Sequence, residues 1–297
     1  MNILITGGRG FIGSALRREL QGAGHDVVIT TRKETGSSEE LTWNPPSLIP
    51  PKKISTLDAI VNLAGDSIYS DRWTKDKKER IQSSRINTTH YLIESIKNAD
   101  LKPKVFINAS AIGYYGPHGD EEVTENTSSG KDFLSSVCKA WEAEALKADE
   151  VGVRTVITRF GVVLGQGGGA LQKMIAPFKV FVGGYLGSGK QWMSWVHIDD
   201  ITGFIKYAIE HDKISGVYNL TAPNPLTNKD FSSQLGRALG RPSVFPVPGF
   251  ALKAALGEFS EILLTGQRVI PERAITSGYK FIYPSLDKAL RAILKKS

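Results

Sequence analysis

Hydrophobic positions in the first half of the chain fall into two alternating kinds of segment. Short, nearly continuous apolar runs occupy residues 1–6, 26–30, 58–63, 105–110 and 154–159. Between them lie longer stretches with helical spacing, at Ile12, Ala15, Leu16 and Leu20, then over residues 75–97 and 133–148. Buried strands alternating with amphipathic helices predict a parallel sheet covered on both faces. The expected fold is α/β, a Rossmann-like doubly wound parallel sheet with a smaller C-terminal α/β substrate lobe. The pattern loosens after Gly161. Residues 165–169 (GQGGG) read as a flexible loop, residues 195–198 as a strand running into a helix at Asp199-Asp200, and Thr227-Asn228-Lys229-Asp230 as a capping-box-like helix start. Pro242, Pro246 and Pro248 interrupt regular structure. The expected organisation is residues 1–165 as one domain and residues 166–297 mainly as a substrate lobe and C-terminal extension, with elements of that half also completing the sheet.

The first run ends in Gly7-Gly8-Arg9-Gly10-Phe11-Ile12-Gly13, a G-x-x-G-x-x-G spacing between strand and helix. Glycines there let the backbone turn sharply and approach a pyrophosphate, whose charge meets free N–H groups at the helix N-terminus. A tight turn that binds nothing has the same spacing, so the second strand matters. That strand ends in Thr31-Arg32, and no Asp or Glu appears before Glu34. An NAD site places a carboxylate near this point for the ribose 2′-hydroxyl, whereas an arginine fork suits a 2′-phosphate. The expected cofactor is NADP(H). Arg9 is either a second cation for that phosphate or a solvent-facing turn residue. Ligands of open α/β sheets lie at the carboxyl ends of the strands, so Arg32, the segment from Asn62 through Leu63 and Ala64 to Gly65, and Ser110 converge on one crevice.

Composition narrows the partners. The 297 residues carry 41% hydrophobic and 23% charged positions, values of an ordinary globule. One cysteine, Cys138, excludes an internal disulfide framework, and five histidines without paired spacing suggest no metal site. The net charge of +7 is dispersed. Its densest cluster, Lys75-Asp76-Lys77-Lys78-Glu79-Arg80, alternates with acids and reads as a solvated helix face; Lys295 and Lys296 read as solvated too. No nucleic-acid partner is therefore expected. With no leader-like opening and no apolar stretch long enough to span a bilayer, neither is a membrane partner, and the expected compartment is the cytoplasm.

These motifs together resemble the extended short-chain dehydrogenase/reductase superfamily, in its epimerase/dehydratase branch. The glycine turn, Asn62-Leu63-Ala64-Gly65, the segment 109–116 (ASAIGYYG), the segment 159–165 (RFGVVLG) and Val196-His197-Ile198-Asp199-Asp200 carry the likeness. Arg72-Trp73, Ser84-Arg85, Trp141-Glu142 and the segment 266–271 (GQRVIP) extend it to the subgroup called epimerase family proteins, which has a distinctive C-terminal extension. The resemblance implies that Thr31, Arg32, Leu63, Ala64, Arg85 and Val163 line an NADP(H) site beside Gly7, Arg9, Gly10, Phe11, Ile12 and Gly13. It also implies a homodimer through helices flanking the sheet.

The departure from the superfamily lies on the helix over residues 133–148. Its catalytic pair is Tyr-x-x-x-Lys, whose spacing sets a phenol and an ammonium one turn apart on the same face. Taking Lys139 as the lysine leaves Ser135 in the tyrosine position. Registering on Glu142 instead leaves Cys138 and Leu134. The tyrosine is missing either way. The catalytic candidates are Ser110 as a hydrogen-bond donor to substrate, Tyr114 or its neighbour Tyr115 as a proton donor, and Lys139 as a ribose or relay residue. The tyrosines and the lysine also have plain roles: Tyr114 and Tyr115 as packing in a turn, Lys139 as a solvated helix lysine. Cys138 reads as a packed residue, His197 as a loop-orienting one, Trp73 and Trp192 as packing or a stacking platform, and Trp141-Glu142 as a packing and capping device. Two functions lead: an NADP(H)-dependent oxidoreductase or epimerase-like enzyme for a small polar carbonyl or hydroxyl substrate, and a non-catalytic NADP(H)-binding sensor or scaffold; a nucleotide-sugar epimerase in the strict sense is a third.

Overall fold

A computed structural model describes residues 1–69 and 72–295; Lys296 lies outside the described residues. The central sheet has seven parallel strands: β1 (Asn2–Thr6), β2 (Asp26–Thr31), β3 (Glu40–Thr42), β4 (Ala59–Asn62), β5 (Val105–Ala111), β6 (Arg154–Phe160) and β7 (Gly216–Leu220). Their spatial order is β7-β6-β5-β4-β1-β2-β3, so the direction of winding reverses between β1 and β4. That reversal opens a crevice at the carboxyl ends of these two strands. The five strands expected from apolar runs are present. β3 and β7 are additional, and β7 brings residues beyond 165 into the sheet.

The helices with the greatest bearing on the site are α1 (Phe11–Gly22), α2 (Lys75–Lys97), α3 (Phe133–Leu146), α4 (Gly169–Lys179), α5 (Ile198–Glu210), α6 (Asn228–Leu239) and α7 (Leu286–Lys295). Side chains alternate across a strand, and the core divides accordingly. Ile3 and Ile5 of β1 join Leu16 and Leu20 of α1 and Phe204, Ile205 and Ile209 of α5 on one face. Leu4 joins Leu92, Ile93 and Ile96 of α2 and Ala145 of α3 on the other. Below the sheet's carboxyl edge, α4, α6 and α7 enclose a separate cluster around Trp195, Phe178, Phe231 and Leu290.

The C-terminal segment is fastened to this frame by a buried carboxylate. Asp200, in the first turn of α5, accepts hydrogen bonds from the backbone N–H groups of Ile282 (2.6 Å) and Tyr283 (3.1 Å). Burial pushes its pKa up to about 6, with the Asp199 charge adding to the effect. A folded-state pKa above the unfolded value means that the native protein takes up this proton first, so the group favours folding more as the pH falls. Relative to Asp200→Asn, which does not titrate, the wild type should gain about 1 kcal/mol of stability between pH 7 and pH 5. Urea unfolding of both proteins at the two pH values measures this; a constant difference would remove Asp200 as the titrating group.

Candidate active site

The glycine turn sits at the winding reversal. Gly7 has φ +68°, and a Cβ there would lie 2.8 Å from the Leu63 carbonyl oxygen at the end of β4. A Cβ on Gly13 would lie 2.3 Å from the Gly7 carbonyl oxygen, so these glycines let α1 start directly against the turn. The helices α2, α3, α5 and α6 are capped by the side chains of Thr74, Asp132, His197 and Thr227. α1 differs. Its N-cap is Gly10, with no side-chain cap and no acid in the first turn, a state it shares with α4 behind Gly168. The N–H groups of Phe11, Ile12 and Gly13 thus begin a helix whose positive end is left for an anion.

The surrounding candidates have distinct placements. Thr31 is buried and Arg32 exposed at the end of β2, where the Arg32 carbonyl accepts from Asn44. Among the described residues no carboxylate pairs with the Arg32 guanidinium. Arg9 is engaged with Glu40 through bonds of 2.9 and 2.8 Å, which makes it a partner of β3 rather than an uncommitted cation. Phe11 has a packing role. Added Cβ atoms at Gly165, Gly168 and Gly169 would fall 2.9, 2.5 and 2.8 Å from its ring, so the expected flexible loop is a collar moulded around Phe11. Val163 lies in the short strand Val162–Leu164, paired with Val196. Arg85, largely buried, donates to the carbonyls of Asp66 and Ile81, and its guanidinium covers Gly65.

A buried polar cluster ties these strand ends together. Asn62 donates to Asn108 (2.7 Å) and Thr89 (2.8 Å) and accepts from Thr6 (2.5 Å), and Trp141 donates to Thr89. The legible signal was register: Asn62 and Asn108 face each other across β4 and β5, each inside an apolar run. Lys77 also departs from expectation. It is buried and pairs with Asp66 at 2.7 Å, so the basic cluster is not wholly a solvated face.

On the substrate side the chemistry is organised by Glu142 and Arg159. Their side chains are 6% and 4% exposed and form paired bonds of 2.8 and 2.7 Å. Glu142 is therefore an ion-pair partner, not a helix-capping device. Ser110, at 2.5 Å from Glu142, donates its hydroxyl hydrogen there, which commits the group expected to donate to substrate. Tyr115 is buried, accepting from Arg159 and donating to Asn219, and burial pushes its pKa up to about 12. Tyr114 is half-buried, with the Arg159 guanidinium carbon 3.4 Å from its ring centroid.

The two registers of α3 separate here. Ser135 is buried and donates to the Gly113 carbonyl and Asp132, and Lys139 is exposed. Leu134 and Cys138 instead pack against Gly113. The Cys138 thiol lies by Ser110, Ala111 and Arg85, its pKa pushed up to about 12 by burial and then by Glu142, so it is neutral at physiological pH. The position of Lys139 thus gives it no contact with Ser110 or Tyr114. His197 caps α5 and stacks on Tyr283. Trp73 packs edge-on against Phe133, and Trp192 donates to Asp120 beneath Arg268.

The C-terminal extension closes this end. Arg72 donates to the carbonyls of Ala254 and Ala255, and Gln267 donates to the Ile112 carbonyl. The strand Arg268–Val269 pairs with Glu122–Val123.

A parallel sheet with an uncapped glycine-turn helix at its winding reversal defines a Rossmann-like α/β protein with the extended short-chain dehydrogenase/reductase fold. The chain belongs to the NAD-dependent epimerase/dehydratase family, whose model matches residues 3–221; a domain of unknown function, DUF1731, matches residues 247–293. It is 42% identical over 299 residues to the epimerase family protein YfhF of Bacillus subtilis (strain 168), covering 99% of this chain and 98% of that protein. The crystal structure of human epimerase family protein SDR39U1 (isoform 2) with NADPH matches with a TM-score of 0.92 at 37% identity, covering 100% of both chains. UDP-glucuronic acid 4-epimerase from Bacillus cereus, in complex with NAD, shares the fold with a TM-score of 0.80 at 21% identity, over 99% of this chain and 98% of that one.

Breaking the buried pair from one side leaves an unpaired charge away from water. Glu142→Gln and Arg159→Met should each lower stability by about 3–5 kcal/mol. The double variant Glu142→Gln/Arg159→Met should lose clearly less than the two single losses added. Denaturant unfolding of the set measures the coupling, and strict additivity would show that the two groups act independently.

Proposed function

We propose that this protein binds NADPH in the crevice between β1 and β4 and works as an oxidoreductase or epimerase-like enzyme on a small polar carbonyl or hydroxyl substrate. The observation that carries the reading is the uncapped N-terminus of α1 together with an Arg32 that has no carboxylate partner among the described residues. Both features suit a dinucleotide bearing an additional phosphate. The NADPH named with the human relative agrees with it. The residues fit the group: Gly7, Gly10 and Gly13 admit a close backbone approach, and Phe11 and Ile12 offer N–H groups to the pyrophosphate. Thr31 and Arg32, at the end of β2, would hold the 2′-phosphate, and Leu63, Ala64, Gly65, Arg85 and Val163 would flank the rest.

When bound, NADPH supplies a hydride equivalent; the chain's task is orientation and proton movement. Tyr114 is the candidate proton donor, because Ser110 is committed to Glu142 and Tyr115 to Asn219. The Arg159 guanidinium, 3.4 Å from the Tyr114 ring centroid, fixes the orientation of that ring by a cation–π contact. Ser110 retains acceptor lone pairs and orients a substrate hydroxyl rather than donating to a carbonyl.

A second reading has its own support. Leu134 and Cys138, which fall in the tyrosine and lysine positions when the helix is registered on Glu142, pack toward Gly113, and a site without that pair suits a protein that senses NADPH without turning it over.

Two measurements test these readings. Arg32→Ala should weaken NADPH by about 1.5–3 kcal/mol, roughly ten- to a hundredfold in Kd, while NADH binding stays nearly constant. Titration calorimetry decides this, and equal losses for both cofactors would refute the 2′-phosphate assignment. NADPH deuterated at the transferable position, incubated with protein and a metabolite extract, should label a product that disappears with Tyr114→Phe. Tight NADPH binding without label in any metabolite would favour the sensor.

A further inference from the structure

Two neighbouring surface segments expose large apolar side chains. Val180, Phe181 and Val182 follow α4, and Val244 and Phe245 follow α6; each is more than half exposed. Backbone bonds from Gly187 to the Val247 carbonyl and from Val247 to the Tyr185 carbonyl bind the segments together, and Gly184 packs on the Phe245 backbone. Phe250, 78% exposed, opens the helix Gly249–Leu256 immediately beyond. Phe181 is held at φ +64°, the non-glycine residue of positive φ among those described. A bulky side chain kept outward by such a backbone is held there against its own preference.

The two segments that carry this patch hold cations and no acids along the chain. No Asp or Glu occurs from residue 151 to 198 or from 231 to 257, whereas Lys179, Lys190, Arg237, Arg241 and Lys253 lie in those stretches. The guanidinium of Arg241 sits 4.4 Å from the Phe181 ring centroid. A second copy of the chain would oppose cation to cation, which disfavours self-association through this face. The apolar groups protrude rather than line a groove, unlike a site for a helix or extended peptide. Exposed aromatics among cations are the composition that enters the boundary between lipid headgroups and acyl chains.

We infer that this face docks on an anionic lipid surface, with Phe181, Phe245 and Phe250 entering the headgroup boundary and Lys179, Arg241 and Lys253 meeting phosphates. Among the described residues no helix is long and apolar enough to cross a membrane, and peripheral docking requires none. The inference is independent of the NADPH reading.

Flotation of the full chain with vesicles of phosphatidylglycerol in phosphatidylcholine, against phosphatidylcholine alone, tests it. Wild type should float with the anionic vesicles, and raised salt should release it. Lys179→Glu/Arg241→Glu/Lys253→Glu should weaken binding by about a hundredfold. Phe181→Ser/Phe245→Ser/Phe250→Ser should weaken it by about tenfold or more, with NADPH affinity and melting temperature near wild type. No flotation of a folded wild type would overturn the inference. So would unchanged flotation of the phenylalanine variant, or sedimentation showing self-association that the phenylalanine variant abolishes.

Discussion

The substrate end of this molecule is governed by a pair of charges removed from water. Glu142 comes from α3 and Arg159 from β6, and neither has solvent to fall back on. Their desolvation is offset only while the two groups meet in paired geometry and their remaining valences are filled. Each valence then dictates a neighbour. The carboxylate takes the Ser110 hydrogen, and the guanidinium takes the Tyr115 oxygen and lies against the Tyr114 ring. One electrostatic requirement thereby sets the position of β5, the turn after it and the helix opposite.

The two ends of the crevice are built on opposite terms. At the α1 end, side chains are removed: glycine replaces capping hydroxyls and carboxylates, leaving backbone donors without an internal acceptor. At the α3 end, donors are consumed. The hydroxyls of Ser110, Ser135 and Tyr115 all give their hydrogens to groups within the protein. The first arrangement suits a charged ligand whose affinity comes from fixed dipoles. Among the described residues the second leaves Tyr114 as the adjacent phenol without such a hydrogen bond, which is why the catalytic reading turns on it.

How much of this was legible follows from the range of the interactions involved. Strands β1, β2, β4, β5 and β6 could be read because burial on both faces writes each as a continuous apolar run. β3 was not, since Glu40-Leu41-Thr42 is short and half-exposed at the sheet edge. Arg32 and the glycine turn were legible because strand, turn and helix are consecutive in the chain. Glu142 and Arg159 were not: 17 residues separate them, and nothing local distinguishes a buried glutamate from a surface one. The same limit explains Phe11, whose collar of glycines comes from more than 150 residues away.

Charge shows most clearly why distribution outweighs total. A net +7 spread evenly would say little about partners. Here the first half interleaves its cations with acids: Arg9 with Glu40, Arg17 with Glu39 and Lys77 with Asp66. In the second half Lys179, Arg241 and Lys253 lie in stretches without an acid, next to exposed phenylalanines of which Phe181 is held at positive φ. Repulsion among like charges disfavours a compact state unless something outside the chain offsets it. Burying those phenylalanines within the fold would have satisfied the apolar groups but left the cations unanswered. An external anionic layer with an apolar interior answers both requirements at the same surface, and that conjunction separates this patch from ordinary scattered exposure of hydrophobic residues.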